Sequence, residues 1–192
     1  NDQFGGVKLN VELNASFSTN KVIENGEVYG LSPNQRGIGK PGYGEWGLKA
    51  IGFFYDEDDI KNSVPQGFGD YKPGDIKYAD LNDDGIVDGQ DVTRLGGTGI
   101  PNLFTSANFK IEYKGVDLGF QLVGLFNRMV YVPFEFHNGI PEGGKLAKGA
   151  YERWAYYTDA SGNLVDTRNT AKYPRLLTTK STNNTQNSTM TW

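Results

Sequence analysis

Val7-Lys8-Leu9-Asn10-Val11-Glu12-Leu13-Asn14-Ala15-Ser16-Phe17-Ser18 alternates apolar and polar side chains without a break over 12 residues. Period 2 sends successive side chains to opposite faces of an extended chain, so the stretch reads as one long strand with an apolar and a polar face. Strands of soluble proteins average about 5–6 residues, whereas a strand that crosses a bilayer needs about 9–11. From this stretch alone, a membrane-spanning strand and a long strand of a soluble sandwich are equally open. Phe104 to Phe126 repeats the pattern twice. Thr105, Ala107, Phe109, Ile111 and Tyr113 alternate with Ser106, Asn108, Lys110 and Glu112; Val116, Leu118, Phe120 and Leu122 alternate with Asp117, Gly119 and Gln121. Between the two arms, Lys114-Gly115 is a two-residue turn, with the glycine supplying a positive φ. Long strands joined by a tight turn on one side and a very long loop on the other favour an outer-membrane barrel.

Composition agrees with a β-rich chain. Aromatics are 13% of the 192 residues, with 26 Gly and 8 Pro, which is poor in helix formers and rich in strand and turn formers. That mix argues against a helical bundle, an α/β nucleotide-binding fold and disorder. A net charge of −4 and a pI near 5.1 argue against a nucleic-acid binder, which needs a basic patch. With no cysteine there are no disulfides, thiolate metal sites or cysteine nucleophiles, and the one histidine, His137, leaves little room for a His-based triad. No run of about 20 apolar residues is present for a transmembrane helix, and no signal-peptide pattern opens the chain.

Between the long strands the periodicity disappears. Residues 20–103 are dense in Gly and Pro and read as an elaborated loop with local structure and no core of its own. Within it, Glu45 to Tyr55 predicts a short strand. Asp56 to Asn62 predicts a helical turn with Asp58 or Asp59 near its start. Residues 127–188 form a second loop, in which Lys145 to Tyr157 has helical spacing and Thr178 to Thr189 is a polar tract. Strand character resumes at Met190, Thr191 and Trp192. The organisation expected is therefore a strand in 1–19, a long loop over 20–103, a hairpin over 104–126 with its turn at 114–115, a loop over 127–188 and a new strand starting at 189–192. Three strands cannot close a barrel, so the 192 residues read as one part of a larger protein.

The strongest local motif is Asp80-Leu81-Asn82-Asp83-Asp84-Gly85-Ile86-Val87-Asp88-Gly89-Gln90-Asp91. Asp80, Asn82 and Asp84 hold positions 1, 3 and 5 of a calcium loop, and Gly85 sits at position 6, where such a loop turns sharply. Ile86 at position 7 would contribute its backbone carbonyl; Asp88 and Asp91 fall at 9 and 12. Ca²⁺ takes six to eight oxygens, and this spacing wraps them around one centre. Asp in place of Glu at position 12 shortens the reach and limits bidentate contact. The flanks are not those of an EF-hand: Pro73 to Tyr78 is strand-like, and Val92 to Leu95 allows one helical turn before Gly96-Gly97. The role expected of Ca²⁺ is structural.

Other signals are weaker. The acidic run Asp56-Glu57-Asp58-Asp59 suits a solvated helix start better than a glycosidase pair. His137 beside Glu135 reads as a surface histidine rather than an acid–base pair. Trp46, Phe53, Phe54, Tyr131, Phe134, Phe136, Tyr151, Trp154, Tyr156 and Tyr157 could stack on sugar rings, with packing and interface belts the plainer alternative. Gly37-Ile38-Gly39 lacks the strand-to-helix setting of a phosphate loop. Asn183-Asn184-Thr185 and Asn187-Ser188-Thr189 match glycosylation acceptors, relevant only to a eukaryotic secretory route.

Taken together, Pro73-Gly74-Asp75-Ile76-Lys77-Tyr78-Ala79 and the Asp80 to Asp88 run resemble the signature of SusC/RagA-type TonB-dependent receptors of Bacteroidetes. Tyr113-Lys114-Gly115-Val116-Asp117-Leu118 is similar to that family's hairpin. Tyr151-Glu152-Arg153-Trp154 and Ala171-Lys172-Tyr173-Pro174-Arg175-Leu176 are similar to its late-loop motifs, and Asn183 to Trp192 to the tract before a further strand. The resemblance implies an all-β fold: the C-terminal part of a large antiparallel transmembrane β-barrel of 22 strands. It implies a transporter and not an enzyme, in the bacterial outer membrane, with Lys114-Gly115 in the periplasm and the long loops at the cell surface. It further implies import of oligosaccharides or peptides, a SusD-like surface lipoprotein as partner, and TonB acting through parts that this chain lacks. The alternative is a soluble secreted β-rich module stabilised by calcium, adhesin-like or dockerin-like; a glycan-cleaving enzyme lacks two placed carboxylates.

Overall fold

The computed structural model describes residues 2–4, 6–130, 148–177, 181–186 and 188. The chain is predominantly β. Its strands are β1 (Asp2–Phe4), β2 (Val7–Phe17), β3 (Gly44–Gly47), β4 (Ala50–Phe53), β5 (Ile76–Tyr78), β6 (Thr93–Thr98), β7 (Leu103–Tyr113), β8 (Val116–Phe126), β9 (Tyr156–Thr158) and β10 (Leu164–Asp166), with one short helix, α1 (Glu57–Asn62). They form one four-stranded sheet, in the order β1-β2-β7-β8, and the two-stranded ribbons β3-β6, β4-β5 and β9-β10. Among the described residues, no helix is long and apolar enough to cross a membrane. Two compact units divide the chain: Asn1–Asn25, Ile38–Gly44 and Gly96–Val130 make the first, and Gly26–Gly37, Glu45–Leu95 and Tyr131–Trp192 the second.

The first unit is built on the four-stranded sheet. Its three long strands are 11 residues each, as the alternation predicts. Lys114 at φ 48 and Gly115 at φ 84 both occupy the left-handed region, which a type I′ hairpin requires. β2 pairs with β7, and β7 with β8, residue for residue from end to end, with no bulge. This register stacks Leu9, Ile111 and Leu118 in one row, Val11, Phe109 and Phe120 in the next, and Leu13, Ala107 and Leu122 in the third. One face is therefore apolar along its whole length, with Phe109 and Phe120 stacked at 4.7 Å between ring centroids. The other face carries Lys8, Glu112, Lys110 and Asp117 in a chain of ion pairs. Phe104, Val123 and Leu125 are apolar exceptions on that side. β1, which sequence reading merged into a single strand over 1–19, folds back antiparallel on β2 with Phe4 opposite Val7.

The second unit has a core of its own, which corrects the expectation of a loop without one. Leu48, Ile76, Tyr78 and Val87 are buried together, with Ala50, Phe53, Phe68 and Val92 packed against them. Phe54 is also buried and stacks on Tyr71 at 4.9 Å. At about 1.5–3 kcal/mol for each large apolar side chain buried, this cluster is the main apolar stabilisation of the unit. No window of sequence shows it, because each short element contributes only one or two members.

Several local expectations need correcting. Glu45 to Tyr55 is two strands rather than one: β3 ends at Gly47, Leu48 drops into the core, and β4 begins at Ala50 with an irregularity between Ala50 and Gly52. α1 falls within the helical turn expected over 56–62, with Asp58 and Asp59 in its first turn, and it is capped by Asp56, whose carboxylate accepts from Asp59 N at 2.8 Å. Asp59 pairs with Lys77 at 2.7 Å. Where a helical turn is expected at Val92 to Leu95, Val92 ends the Gly89–Asp91 3-10 turn and Thr93 to Leu95 are strand, part of β6. Lys145 to Tyr157 is not a helix where described: Lys148–Glu152 is a 3-10 turn and Tyr156 opens β9. There Trp154 N donates to Tyr173 O at 2.9 Å, so its backbone answers another strand-like segment instead of its own helix. Tyr131, Phe134, Glu135, Phe136, His137 and the strand expected from Met190 lie outside the described residues.

Candidate functional site

Asp80 to Asp91 folds as a tight, self-bonded loop in the second unit. Asp80 accepts from Asp83 N at 2.7 Å and Gly85 N at 3.0 Å. Asn82 Oδ1 accepts from Asp84 N at 3.1 Å, and Asp84 Oδ1 from Ile86 N at 3.0 Å. Each of these side chains turns the backbone back toward itself, as short Asx residues do. Gly85 has φ +88 at position 6, with nothing near the place a Cβ would take. The exit is a 3-10 turn at Gly89–Asp91 with a capping box: Asp88 accepts from Gln90 N, and Asp91 accepts from Asp88 N at 2.8 Å. Asp91 is fully buried and also accepts from Leu81 N at 2.7 Å, closing the loop across its ends.

The loop is anchored from outside at two places. Val87, at position 8, is fully buried; its N donates to Pro65 O at 2.8 Å and its O accepts from Gly67 N at 2.9 Å. Asn34 Nδ2 donates to Gln90 O at 2.7 Å and Val92 O at 3.1 Å, and Thr93 Oγ1 donates to Asn34 O at 3.0 Å. Sequence reading singled out Ile86 for its carbonyl and passed over Val87, whose apolar side chain amid acidic neighbours was the available signal for an anchor.

The predicted ligands Asp80, Asn82, Asp84, Ile86, Asp88 and Asp91 thus share one loop, and every donor among them is oxygen. Among the described residues, though, no group of three or more Asp, Glu, His or Cys side chains converges as a ready metal cage. The carboxylates of Asp80, Asp84, Asp88 and Asp91 are engaged with loop amides. The donor chemistry fits a hard cation; the carboxylate arrangement is that of a loop holding itself by Asx turns.

A second constellation was not legible in the sequence. Asp75 is fully buried and receives Arg175 Nε at 2.7 Å, Arg175 Nη2 at 3.1 Å, Asn184 Nδ2 at 2.9 Å and Lys72 N at 2.8 Å. Asn183, also fully buried, donates from Nδ2 to Ile76 O at 2.9 Å and accepts from Gln66 Nε2 at 2.6 Å. Burial pushes the Tyr78 hydroxyl well up from its ordinary value, which keeps it a donor to Asn183 O at 2.8 Å. The fully buried Asn183 side chain is committed to these bonds and does not offer its nitrogen to a glycan.

The aromatic residues sort themselves by burial. Phe54 and Phe53 belong to the core, Trp46 lies under Arg94 at 5.3 Å, and Trp154 covers Gly74. Tyr151, Tyr156 and Tyr157 remain exposed. Arg168 lies 4.3 Å from the Tyr55 ring and 3.8 Å from the Tyr156 ring, and it pairs with Asp166 at 2.7 Å. The hydrogen bonds that Arg168 donates to Asp166 raise the guanidinium above its ordinary value and hold the Asp166 carboxyl below its own. No family model matches the chain, and no curated protein matches it.

Proposed function

We propose that this chain is part of a SusC/RagA-type TonB-dependent outer-membrane transporter that imports oligosaccharides or peptides with a SusD-like lipoprotein. The observation that carries the reading is the bare apolar face of the first unit. Leu13 and Leu122 are 73% and 60% exposed at mid-strand, and Leu9, Val11, Leu118 and Phe120 are exposed beside them. A contiguous apolar face of this size needs a cover. At about 3.3 Å per residue, 11 residues tilted by ~35–45° rise about 25–30 Å, close to the ~25 Å apolar band of an outer-membrane barrel. The opposite, charged face then borders water in the lumen. Further strands beyond β8 and β1 would close the barrel, and the long segments that follow β2 and β8 in the sequence would be its extracellular loops. The buried core of that second unit also suits the alternative, a soluble calcium-stabilised binding module. Partition of the chain between buffer and lipid vesicles separates the two readings: transport predicts co-flotation with lipid, and a monomeric, cooperatively folded chain without detergent overturns it.

Calcium is proposed to brace the second unit, with Asp80, Asn82, Asp84, Asp88, Asp91 and the Ile86 carbonyl as ligands. Bound Ca²⁺ would supply positive charge that gathers these oxygens and relieves their mutual repulsion. At a hundredfold excess over its dissociation constant, a ligand of the folded state adds about 2.7 kcal/mol. For a chain of this size that corresponds to a rise of roughly 5–10 °C in melting temperature. Asp80→Ala with Asp84→Ala should abolish the rise. An unchanged melting profile on adding EDTA would sink the calcium assignment.

A further inference from the structure

The outer edge of β5 is occupied by side chains instead of by a strand. On its inner edge β5 pairs with β4, Ala50 opposite Tyr78 and Phe53 opposite Ile76. On the other edge, Ile76 N donates to Asn184 Oδ1 at 2.9 Å, and Ile76 O accepts from Asn183 Nδ2 at 2.9 Å. Tyr78 N donates to Gln66 Oε1 at 2.6 Å, while Gln66 Nε2 donates to Ile76 O at 3.1 Å and Asn183 Oδ1 at 2.6 Å. A primary amide carries the same donor and acceptor as a peptide group. Three side-chain amides therefore reproduce the ladder that a neighbouring strand would give.

Two of those amides come from residues 181–186, more than 100 positions beyond β5. That segment is held almost wholly by polar contacts. Besides the amides, Thr182 Oγ1 donates to Phe68 O, and Tyr78 Oη to Asn183 O. At its near end Arg175 is doubly bonded to Asp75 and its N donates to Gly74 O at 2.8 Å. The apolar cluster of Leu48, Ile76, Tyr78 and Val87 takes no side chain from 181–186. The segment is thus fastened to the core through polar groups on Ile76 and Tyr78, and such a side-chain network can be worth more than the sum of its pairwise bonds.

We propose that residues 181–186 are a strap that takes the place of a β-strand on the open edge of β5, and that it docks and releases as one unit while the β4-β5 pair stays closed. Release uncovers the Ile76 N–H and takes one donor each from Ile76 O and the Asp75 carboxylate, so the strap is a conformational switch on the edge of the core. The inference stands on the geometry of the second unit alone and does not depend on transport or calcium.

The fold supplies its own reporters. The Ile76 amide bonds to Asn184 of the strap, whereas the Tyr78 amide bonds to Gln66, the Phe54 amide to Asp75 O at 3.0 Å and the Ala79 amide to Lys49 O at 2.9 Å. Amide hydrogen exchange on the 192-residue chain in detergent micelles, read per residue, tests the strap. In Asn183→Ala/Asn184→Ala, Ile76 should exchange at least ~10-fold faster while Tyr78, Phe54 and Ala79 change by less than about twofold. Asn184→Asp, which sets a second carboxylate against Asp75, should give the same pattern. If a variant fails to fold, the unmodified chain in low urea gives the answer: Ile76 should open at a lower free energy than Tyr78, Phe54 and Ala79. Equal acceleration or equal opening of all four amides, or no change at any, overturns the proposal.

Discussion

Leu13→Arg combined with Leu122→Arg should remove the chain from lipid vesicles, whereas Gln121→Arg should leave it there. Leu13 and Leu122 flank Ala107 in one cross-strand row halfway along the sheet, on the apolar face. Gln121 is the immediate neighbour of Leu122 but points to the opposite face, beside Asn108. An arginine on the lipid face of a barrel costs about 2–4 kcal/mol at the bilayer midplane, while lumen positions tolerate charge. Two such residues should reduce partition by at least about a hundredfold, since each ~1.4 kcal/mol is a factor of ten. The two faces differ by a single residue step, so position along the sheet and chain length are controlled. Co-flotation measured for the three chains decides the matter. Equal loss in Gln121→Arg, or retention of the double arginine variant, would remove the apolar face as the lipid-facing surface.

That test is possible because the sheet was legible. Period-2 alternation is a local property, readable from Val7 to Phe17 with no knowledge of what the strand pairs with, and Lys114-Gly115 fixes the register of its own hairpin. The metal-type loop was legible for the same reason: Asp80, Asn82, Asp84 and Gly85 are contiguous, and the structure folds them into the expected tight turn. What stayed hidden is non-local. Leu48, Ile76 and Val87 come from three short segments, each lacking period, and only their meeting makes a core. β1 was missed because three residues give no pattern of their own. Asn183 and Asn184 read as a polar tract because asparagine is a surface and turn residue on average; their burial depends on Asp75, Ile76 and Gln66, more than 100 residues earlier. The helix expected at Lys145 to Tyr157 failed in the same way, since Trp154 bonds to Tyr173.

Gly74 is where these distant segments meet most closely, and Gly74→Ala should be the most damaging single methyl in the second unit. The residue has φ +87, and a Cβ there would lie 2.5 Å from Trp154 Cε3, 2.6 Å from Trp154 Cδ2 and 2.9 Å from Arg175 Cβ. Its backbone is fixed on both sides: N donates to Phe54 O at 2.8 Å, and O accepts from Arg175 N at 2.8 Å. The chain cannot relieve the clash by rotating without breaking the bonds that hold the Asp75–Arg175 pair in place. The left-handed conformation costs an alanine about 1–2 kcal/mol, and forcing a group into filled space adds about 1–3 kcal/mol. Together they predict a loss of about 3 kcal/mol, or roughly 6–12 °C in melting temperature for a chain of this length. Gly162→Ala separates the two contributions, because Gly162 has φ +85 with nothing within 4 Å of the new methyl. It should lose only the conformational part. Trp154 gives a second readout, since displacement of its ring by the methyl should shift its fluorescence in Gly74→Ala and not in Gly162→Ala. Equal melting of the two variants, with Trp154 emission unchanged, would mean that the indole moves aside at no cost and that the close approach at Gly74 does not hold the unit together.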